Sequence, residues 1–554
     1  MHPTFTLRIL PDNVIVAVPA HEALHEVLDR HGISLTAYCD GMGLCGKCMV
    51  EIRLADGSAP VETEMEKTRL TAAQRAAGLR LACAWRVTSD AVIRIPEPSK
   101  AAAAAILTTS AEVVADTARA VAADRPFGIA VDVGTTTVVA SLLDLRTGRT
   151  VAVAAAMNGQ RRYGADVVSR INHSLQDGGQ RELHDAVIQT INRIAADCLA
   201  QRGIGAGQLA EIVLTGNSVM LHTLHNASMA TLAVLPFEPA FADARVVPAG
   251  SLGIELDHGV KAYSFPMIGG FVGGDTVACM LAMDLDQSDE WMMIIDIGTN
   301  TEVALGRRGR WTTTSAPAGP AFEGARISCG MNGAAGAIQH AAITDEAMVI
   351  DVINQQVPVG VCGTGLIDAA AALLDRGILD ETGRLLQDDE LPAALPPWLR
   401  KRVMDFENER AFVLFDPATD AFEHDGEPRR LVLTQRDLRE LQLAKGAIAS
   451  ACDLLLRSEK LGYDDLGCVC LAGAFGNYLR PGTARRIGLL PAVPIGKIEF
   501  IGNAASTGAK RALVSPDDRR RAEQLASGSV HVELAANPEF QMCYAGHMLF
   551  PGVQ

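Results

Sequence analysis

The sequence predicts a small α+β domain, an alanine-rich linker and a larger two-lobed α/β body, in that order. Four closely spaced cysteines lie within residues 1–96, alanine is abundant in residues 97–125, and two strands about 160 residues apart each run into an Asp-x-Gly-Thr-type motif. A chain of 554 residues is also too long for a single hydrophobic core, so several domains are expected.

Composition and charge limit the classes of partner and the compartment. The net charge of −16 at pH 7 argues against nucleic acid, because binding phosphates requires a surplus of cations. The start of the chain lacks the segments of a signal peptide, and no uncharged apolar run is long enough to span a membrane. We therefore expect a cytoplasmic protein without a membrane partner. In that reducing compartment the 12 cysteines are expected to be metal ligands or free thiols.

The first 96 residues have the patterning of a compact α+β domain. Alternating apolar and polar residues over positions 3–18, interrupted by Pro11-Asp12-Asn13, predict a β-hairpin. Residues 20–31 are expected to be helical, Met49–Leu54 to form a strand, and residues 93–95 to close the domain. Residues 97–125 carry few large apolar side chains, so we interpret them as a linker with helical tendency.

The cysteines of this domain follow the spacing C-x5-C-x2-C-x34-C and are Cys39, Cys45, Cys48 and Cys83. Three thiolates on one glycine-rich loop can surround one side of an iron–sulfur cluster, and a fourth from a distant segment closes it. The alternatives are a zinc site or four unrelated buried cysteines, but zinc sites usually combine two short C-x2-C pairs. Residues 1–96 resemble a [2Fe–2S] ferredoxin of the β-grasp fold, which implies that these cysteines hold the cluster.

The other eight of the 12 cysteines have no cluster spacing and lie in apolar segments. Buried cysteine commonly behaves as a small apolar residue, so we expect these cysteines to pack in the core. Cys468 and Cys470 alternate on a predicted strand and would point the same way, yet core packing is our preferred interpretation for them too.

The body contains an internal repeat of a strand, an aspartate and a tight turn. Residues 129–133 run into the motif 132–137, and residues 292–297 run into the motif 296–301, which suggests a first lobe over 126–285, with a sub-boundary near 205, and a second over 286–554. A carboxylate at such a strand end can hold Mg2+, while the turn and its hydroxyls can bind phosphate. The alternative is that the aspartates only form turns or cap helices. The candidates are Asp132 and Asp296 for Mg2+, and Gly134, Thr135, Thr136, Gly298, Thr299 and Asn300 for phosphate.

These motifs belong to a series of five segments that resembles the superfamily of acetate and sugar kinases, Hsp70 and actin (ASKHA). The phosphate motifs at 132–137 and 296–301 alternate with two small-residue segments at 269–280 and 502–508, and residues 471–476 resemble the adenosine motif. The resemblance implies an ATP-binding, two-lobed fold, with Gly473 and Gly476 at the adenosine and two closely crossing helices. The usual Gly-Gly pair is Gly473-Ala474 here, which leaves the base contacts open.

Longer segments resemble one family within this superfamily, namely the reductive activators of corrinoid-dependent methyltransferases. These segments are residues 160–167, 315–325, 327–331, 362–367 and 433–445, and the ferredoxin-like start adds to the resemblance. It implies ATP-dependent, one-electron reduction of a corrinoid protein from Co(II) to Co(I), in support of a methyltransferase or demethylase system. It also implies a corrinoid-protein partner, an upstream electron donor and a homodimer.

The residues alone leave two other functions open: a small-molecule kinase with a redox sensor, and a nucleotide-gated binding protein like Hsp70.

Several single residues also have more than one possible role. Glu323 is a candidate for orienting water or meeting the partner, and Asp275 for approaching the nucleotide or capping a helix. For Arg161, Arg162 and Tyr163 we prefer an exposed face over a partner contact, and for His222 and His225 we expect packing or capping rather than metal binding.

Overall fold

The computed structural model describes residues 3–10, 13–31, 33, 35, 48–70, 72–96, 108, 110–115, 121–420, 429–476, 478–535 and 537–552. Cys39, Cys45 and most of the predicted linker lie outside these described residues. Within the described ranges, every helix is too short or too polar to cross a lipid bilayer.

The amino-terminal domain is a five-stranded sheet with three short helices. The strands are β1 Thr4–Leu10, β2 Val14–Pro19, β3 Met49–Leu54, β4 Leu79–Leu81 and β5 Ala91–Arg94, in the order β2-β1-β5-β3-β4. The helices are α1 Leu24–Arg30, α2 Glu64–Arg69 and α3 Ala72–Ala76. The predicted hairpin is confirmed, because β1 and β2 pair antiparallel from Thr4 opposite Pro19 to Ile9 opposite Val14. Alternate residues such as Leu7 and Ile9 fill the core and leave their neighbours in solvent.

The linker contacts the body over its described residues 110–115, and these residues are not helical. Val113 is buried in the core of the body. The Ala111 N–H donates to the Thr507 hydroxyl over 3.1 Å, and the Glu112 carboxylate accepts the Thr150 N–H over 3.1 Å. The predicted helical tendency is therefore not realised here, because partners on the body satisfy this backbone in place of intrahelical bonds.

The first lobe is built on a six-stranded sheet of order β10-β11-β9-β6-β7-β8. Its strands are β6 Phe127–Val133, β7 Thr137–Asp144, β8 Thr150–Met157, β9 Leu209–Gly216, β10 Arg245–Pro248 and β11 Lys261–Ser264. Its helices are α4 Val167–Ser174, α5 Gly179–Ala200, α6 Ser218–Leu224 and α7 Gly274–Ala282. Residue 205 lies between α5 and β9, and β9 pairs in parallel with β6, so both sides of that position contribute to one sheet.

The second lobe has a six-stranded sheet of order β22-β21-β12-β13-β14-β23 and two three-stranded sheets. Its first five strands in this order correspond to β11-β9-β6-β7-β8 of the first lobe, whereas the sixth strand is on opposite edges of the two sheets. Its strands are β12 Trp291–Ile297, β13 Thr301–Arg307, β14 Arg310–Ala316, β15 Ala337–Ile343, β16 Met348–Val352, β17 Gly360–Val361, β18 Val403–Phe406, β19 Glu409–Phe415, β20 Leu431–Thr434, β21 Leu466–Ala472, β22 Ile498–Gly502 and β23 Val530–His531. Its helices are α8 Gly363–Asp375, α9 Pro397–Arg400, α10 Gln435–Ser458, α11 Gly473–Gly476, α12 Pro481–Arg486, α13 Ala504–Val514, α14 Pro516–Gly528 and α15 Pro538–His547.

Helices α7 and α13 cross closely between the two large sheets, as the resemblance of segments 269–280 and 502–508 to connecting helices implies. One hydrophobic cluster contains residues of both sheets, for example Val213 and Ile294, together with α7 and α13. A Cβ built on Gly508 would lie 2.1 Å from the carbonyl oxygen of Ala278, so only glycine fits at this crossing. The crossing places the start of both helices at the ends of β6 and β12.

Gly508→Ala is therefore expected to lower the free energy of unfolding of the body by about 1–3 kcal/mol, the usual cost of overpacking. Chemical denaturation followed by circular dichroism measures it. Gly546→Ala is the matched control, because a Cβ at Gly546 in α15 meets nothing within 4 Å. That variant should be neutral or up to about 1 kcal/mol more stable. Equal stability of the two variants would contradict the close crossing.

A buried lysine makes the stability of the second lobe depend on pH. Lys445 in α10 donates to the carbonyl oxygens of His547, over 2.7 Å, and Leu549, and burial lowers its pKa from 10.5 to about 7. Between pH 7 and pH 10.5 Lys445 is therefore protonated more fully in the unfolded chain than in the folded protein, so its own contribution to stability rises with pH in this window. The slope approaches about 1.4 kcal/mol per pH unit.

Lys445→Met should abolish most of this rise, which unfolding at pH 7 and pH 9 measures. Lys401→Met, at an exposed position, should keep the wild-type slope. An unchanged slope in Lys445→Met would show that this lysine titrates normally in the folded protein.

Candidate nucleotide and cluster sites

The ends of β6 and β12 meet at a cleft between the two large sheets, with a cavity of about 230 Å³. This volume is below the usual range for a pocket that encloses a whole drug-sized ligand. The lining includes ten of the predicted residues, namely Asp132, Gly134, Thr135, Thr136, Asp296, Gly298, Thr299, Asn300, Glu323 and Gly473. Asp275 lines the cleft as well, and Gly476 ends the short helix α11 that Gly473 begins.

The first phosphate loop, residues 132–137, is held from below by buried side chains. A Cβ on Gly134 would lie 2.7 Å from the carbonyl oxygen of Thr137, which explains the glycine. The guanidinium of Arg170, fully buried in α4, donates to the carbonyl oxygen of Thr135 over 2.7 Å. The Asn217 amide donates to the Thr135 hydroxyl over 2.9 Å. These bonds fix the loop and place a positive charge beneath it.

The second phosphate loop, residues 296–301, contacts the predicted loop around Glu323. The Thr299 hydroxyl donates to the Glu323 carboxylate over 2.5 Å, and burial raises the pKa of that carboxyl group. Gly473, with φ of +85°, approaches Asp296 so closely that a Cβ would lie 2.7 Å from its Oδ1. Glycine is thus required at this position of the adenosine motif both for its backbone angle and for its lack of a side chain.

Besides Glu323, four further carboxyl groups share the cleft: Asp132, Asp275, Asp296 and Glu302. Burial raises the pKa of Asp132 and of Asp296 to about 6, and burial with the neighbouring Asp296 raises that of Asp275 to about 8. Burial and Asp275 also hold the pKa of Glu302 well above its usual range. The Asn503 amide, which donates to Asp132 over 2.9 Å, is a nearby neutral donor.

This acidic cluster fits a hydrated Mg2+ ion, because buried like charges need a cation and Mg2+ prefers carboxylates and water. The glycine turns and hydroxyls of both loops fit the phosphates that such an ion accompanies. Asp132 and Asp296 are at equivalent ends of β6 and β12, and each therefore approaches the cleft from one lobe.

The described half of the cysteine site lies at the end of the β3–β4 pair. Cys48 precedes β3 and Cys83 follows β4, and the antiparallel pairing of Met49 with Leu81 brings them together. Their sulfur atoms are 3.4 Å apart and buried. Two thiolates on one tetrahedral metal ion with bonds of about 2.3 Å lie about 3.8 Å apart, so this pair fits one iron of a cluster. Cys39 and Cys45, the other predicted ligands, lie outside the described residues.

The remaining candidates have mainly structural surroundings. His222 packs inside the first lobe, where its ring accepts the Ala240 N–H over 2.9 Å, and His225 bonds the Ser264 hydroxyl over 2.9 Å. Both agree with the expected packing roles. Tyr163 stacks on a histidine ring, and Arg162 is exposed and lies over Tyr163. Arg161 is half-buried, and its charge partly offsets the rise that burial causes in the pKa of Glu323.

Four polar residues were not singled out from the sequence: Asn217, Glu302 and Asn503, which line the cleft, and Arg170, which supports the first phosphate loop. Asn217 and Asn503 each accept an N–H at the start of a helix, α6 and α13, and for Asn503 the cap signal before a small-residue segment is visible in the sequence. Glu302 directly follows the second phosphate motif. Arg170 has no such local signal.

Each of the three parts of the chain matches a known protein family model. Residues 7–88 match the family model of a 2Fe-2S iron-sulfur cluster binding domain. Residues 127–288 match the RACo middle region, and residues 290–554 match the C-terminal domain of RACo, the ASKHA domain. Together with the cleft and the cysteine pair, these matches define an iron–sulfur protein with an ASKHA body.

Relatives extend the match over most of the chain. The corrinoid activation enzyme RamQ of Eubacterium limosum is 32% identical over 76% of this chain and 70% of its own length. The Co(II) methylated amine-specific corrinoid protein reductase of Methanosarcina barkeri is 27% identical over 68% of each chain. The solved structure of a reductive activator for corrinoid, iron-sulfur protein is 28% identical, covers 99% of both chains and has a TM-score of 0.68. The chain belongs to the RACo family.

Proposed function

We propose that this protein is an ATP-dependent reductase that activates a corrinoid protein by one-electron reduction of its cobalt from Co(II) to Co(I). The observation that carries the proposal is the presence on one chain of a buried cysteine pair in a ferredoxin-type domain and an acidic nucleotide cleft between two lobes. The relatives named for corrinoid activation support this reading.

The cysteines supply the redox half of this activity. Cys48 and Cys83, with Cys39 and Cys45, would hold the [2Fe–2S] cluster, which supplies one-electron chemistry when bound. The chain itself shields the site, because Cys48 and Cys83 are buried against the β-sheet core. Such shielding is one of the means by which a protein tunes the potential of a bound cluster.

ATP that binds in the cleft supplies the free energy for an unfavourable electron transfer. Each 100 mV uphill costs about 2.3 kcal/mol per electron, and binding ATP can offset this by stabilising a closed form of the body. Asp132 and Asp296 would hold Mg2+ from opposite lobes, and the two loops would hold the phosphates. Nucleotide thus favours closure about the α7–α13 crossing, which changes the surface that meets the corrinoid protein.

The proposal includes further partners. A separate protein delivers electrons to the ferredoxin domain, and the activator works in the cytoplasm, where thiols stay reduced. We also propose a homodimer, which size-exclusion chromatography with light scattering tests directly. The activated corrinoid protein serves a methyltransferase or demethylase system.

One reaction mixture tests the central claim. Reduced protein, ATP with Mg2+ and a Co(II) corrinoid protein are combined, and the absorbance of Co(I) is followed with ATP left out as the control. We expect Co(I) only when all three components are present. Phosphorylation of a small molecule without Co(I) formation would instead favour a kinase, and nucleotide-gated complex formation without reduction would favour a binding protein.

A further inference from the structure

Three side chains that can bind metal lie together in the second lobe, outside the nucleotide cleft and the ferredoxin domain. Cys468 and Cys470 alternate on β21 and so face the same side of the sheet, with their sulfur atoms 3.4 Å apart. Glu499 on the neighbouring strand β22 pairs with Cys470 in the register. The two sulfurs and a Glu499 carboxylate oxygen lie within 4.8 Å of one another.

The spacing suits a metal ion better than a disulfide bond. Two residues apart on a strand, the Cα atoms of Cys468 and Cys470 are about 6.6 Å apart, near the upper limit for a disulfide. Two thiolates on one tetrahedral ion lie about 3.8 Å apart, close to the separation of this pair. Glu499 is exposed, so its side chain can close the remaining distance at little cost.

The three side chains differ in their exposure to solvent. Glu499 is exposed, Cys468 is half-buried and Cys470 is fully buried. Cys468 and Cys470 both contact one hydrophobic cluster, but Cys468 stays half-buried and Glu499 beside it is exposed, so apolar packing does not account for all three side chains. Two thiolates and a carboxylate are the donor set of borderline-soft divalent ions, above all Zn2+.

We propose that Cys468, Cys470 and Glu499 form a second metal site, which binds one Zn2+-type ion and fastens β21 to β22. These two strands lead directly into the nucleotide cleft: β21 ends before Gly473, and β22 ends before Asn503, which donates to Asp132. A bound ion at this site holds the two cleft residues in a fixed relative position. This site stands independently of the corrinoid activity.

The test uses the full-length protein with its iron in place. The protein is dialysed against Zn2+ alone and then freed of loose metal, and zinc and iron are counted per chain. We expect one zinc in the wild type that is lost in Cys468→Ser and Cys470→Ser, with iron unchanged in all three. Glu499→Gln, at an exposed position that does not endanger folding, should weaken zinc affinity at least about tenfold. Cys198→Ser, a buried cysteine of α5, is the control and should keep the zinc.

Absorption spectroscopy and thermal unfolding give measurements that would not respond to metal if these three residues only packed in the core. When Co2+ replaces Zn2+, we expect the absorption of a tetrahedral thiolate complex. It should be visible in the difference spectrum obtained by subtracting the spectrum of Cys468→Ser from that of the wild type. Zn2+ should raise the unfolding temperature of the wild type, and the same Zn2+ concentration should raise that of Glu499→Gln by less. Equal zinc content in the wild type and the three site variants, which means an adventitious ion only, would overturn the proposal. A Cys468–Cys470 disulfide in the isolated protein would overturn it as well.

Discussion

Cys83→Ala should strip the amino-terminal domain of its iron and reduce Co(I) formation to the background rate, while the body binds ATP as the wild type does. The reason is geometric: Cys83 is buried with its sulfur 3.4 Å from that of Cys48, and alanine offers no ligand in its place. A cluster that needs four thiolates cannot be completed by the remaining three. Iron content, the visible spectrum and ATP-dependent Co(I) absorbance measure the result.

A matched control separates loss of the ligand from loss of a buried cysteine. Cys198 is as buried as Cys83 but lies in the core of the first lobe, so Cys198→Ala should keep both iron and activity. ATP binding by isothermal calorimetry checks that the body of Cys83→Ala is intact. Retention of two irons per chain and of Co(I) formation in Cys83→Ala would show that the cysteine pair is not part of the redox site.

Much of the fold follows from patterns that are local in the sequence. The hairpin of β1 and β2 follows from alternation of apolar residues, and the repeat of β6 and β12 from two short strands that each carry an aspartate directly before their last residue. Both depend on neighbours within a few residues, so a single chain suffices to predict them. The crossing of α7 and α13 follows from the resemblance of two segments to connecting helices, and the lack of a side chain at Gly508 permits the close approach.

The parts that escaped prediction depend on contacts between distant residues. Asn503 reaches Asp132 across 371 positions, and residues 110–115 dock on the body through a Thr507 that is 396 positions from Ala111. Arg170 is an ordinary residue of an amphipathic helix until the fold places it beneath Thr135. Glu499 likewise joins Cys470 only through the pairing of β22 with β21. Sheet order and helix docking decide these neighbours, and neither is set by local spacing.

The second large effect is expected from a substitution of Asp296 in the nucleotide cleft. Asp296→Asn should lower ATP hydrolysis and ATP-dependent Co(I) formation by about 10²–10³-fold, because it removes one negative charge from the ion's site and keeps the side-chain shape. The amide has no charge to offer Mg2+, and the hydrated ion is then held mainly from the first lobe by Asp132. The closed form of the two lobes is then no longer stabilised by a charged carboxylate from the second lobe.

The experiment compares three quantities in one preparation. ATP hydrolysis and Co(I) formation should fall together in Asp296→Asn, whereas iron content and the visible spectrum should stay at wild-type values, the reverse of Cys83→Ala. Asp351→Asn, an exposed carboxylate on β16 outside the cleft lining, should leave all of these unchanged. If Asp296→Asn kept full ATP-dependent Co(I) formation, the acidic cluster would not be the site that couples nucleotide to reduction. If it lost iron as well, the two sites would not be separable, and the cleft would be required to assemble the ferredoxin domain rather than to drive the transfer.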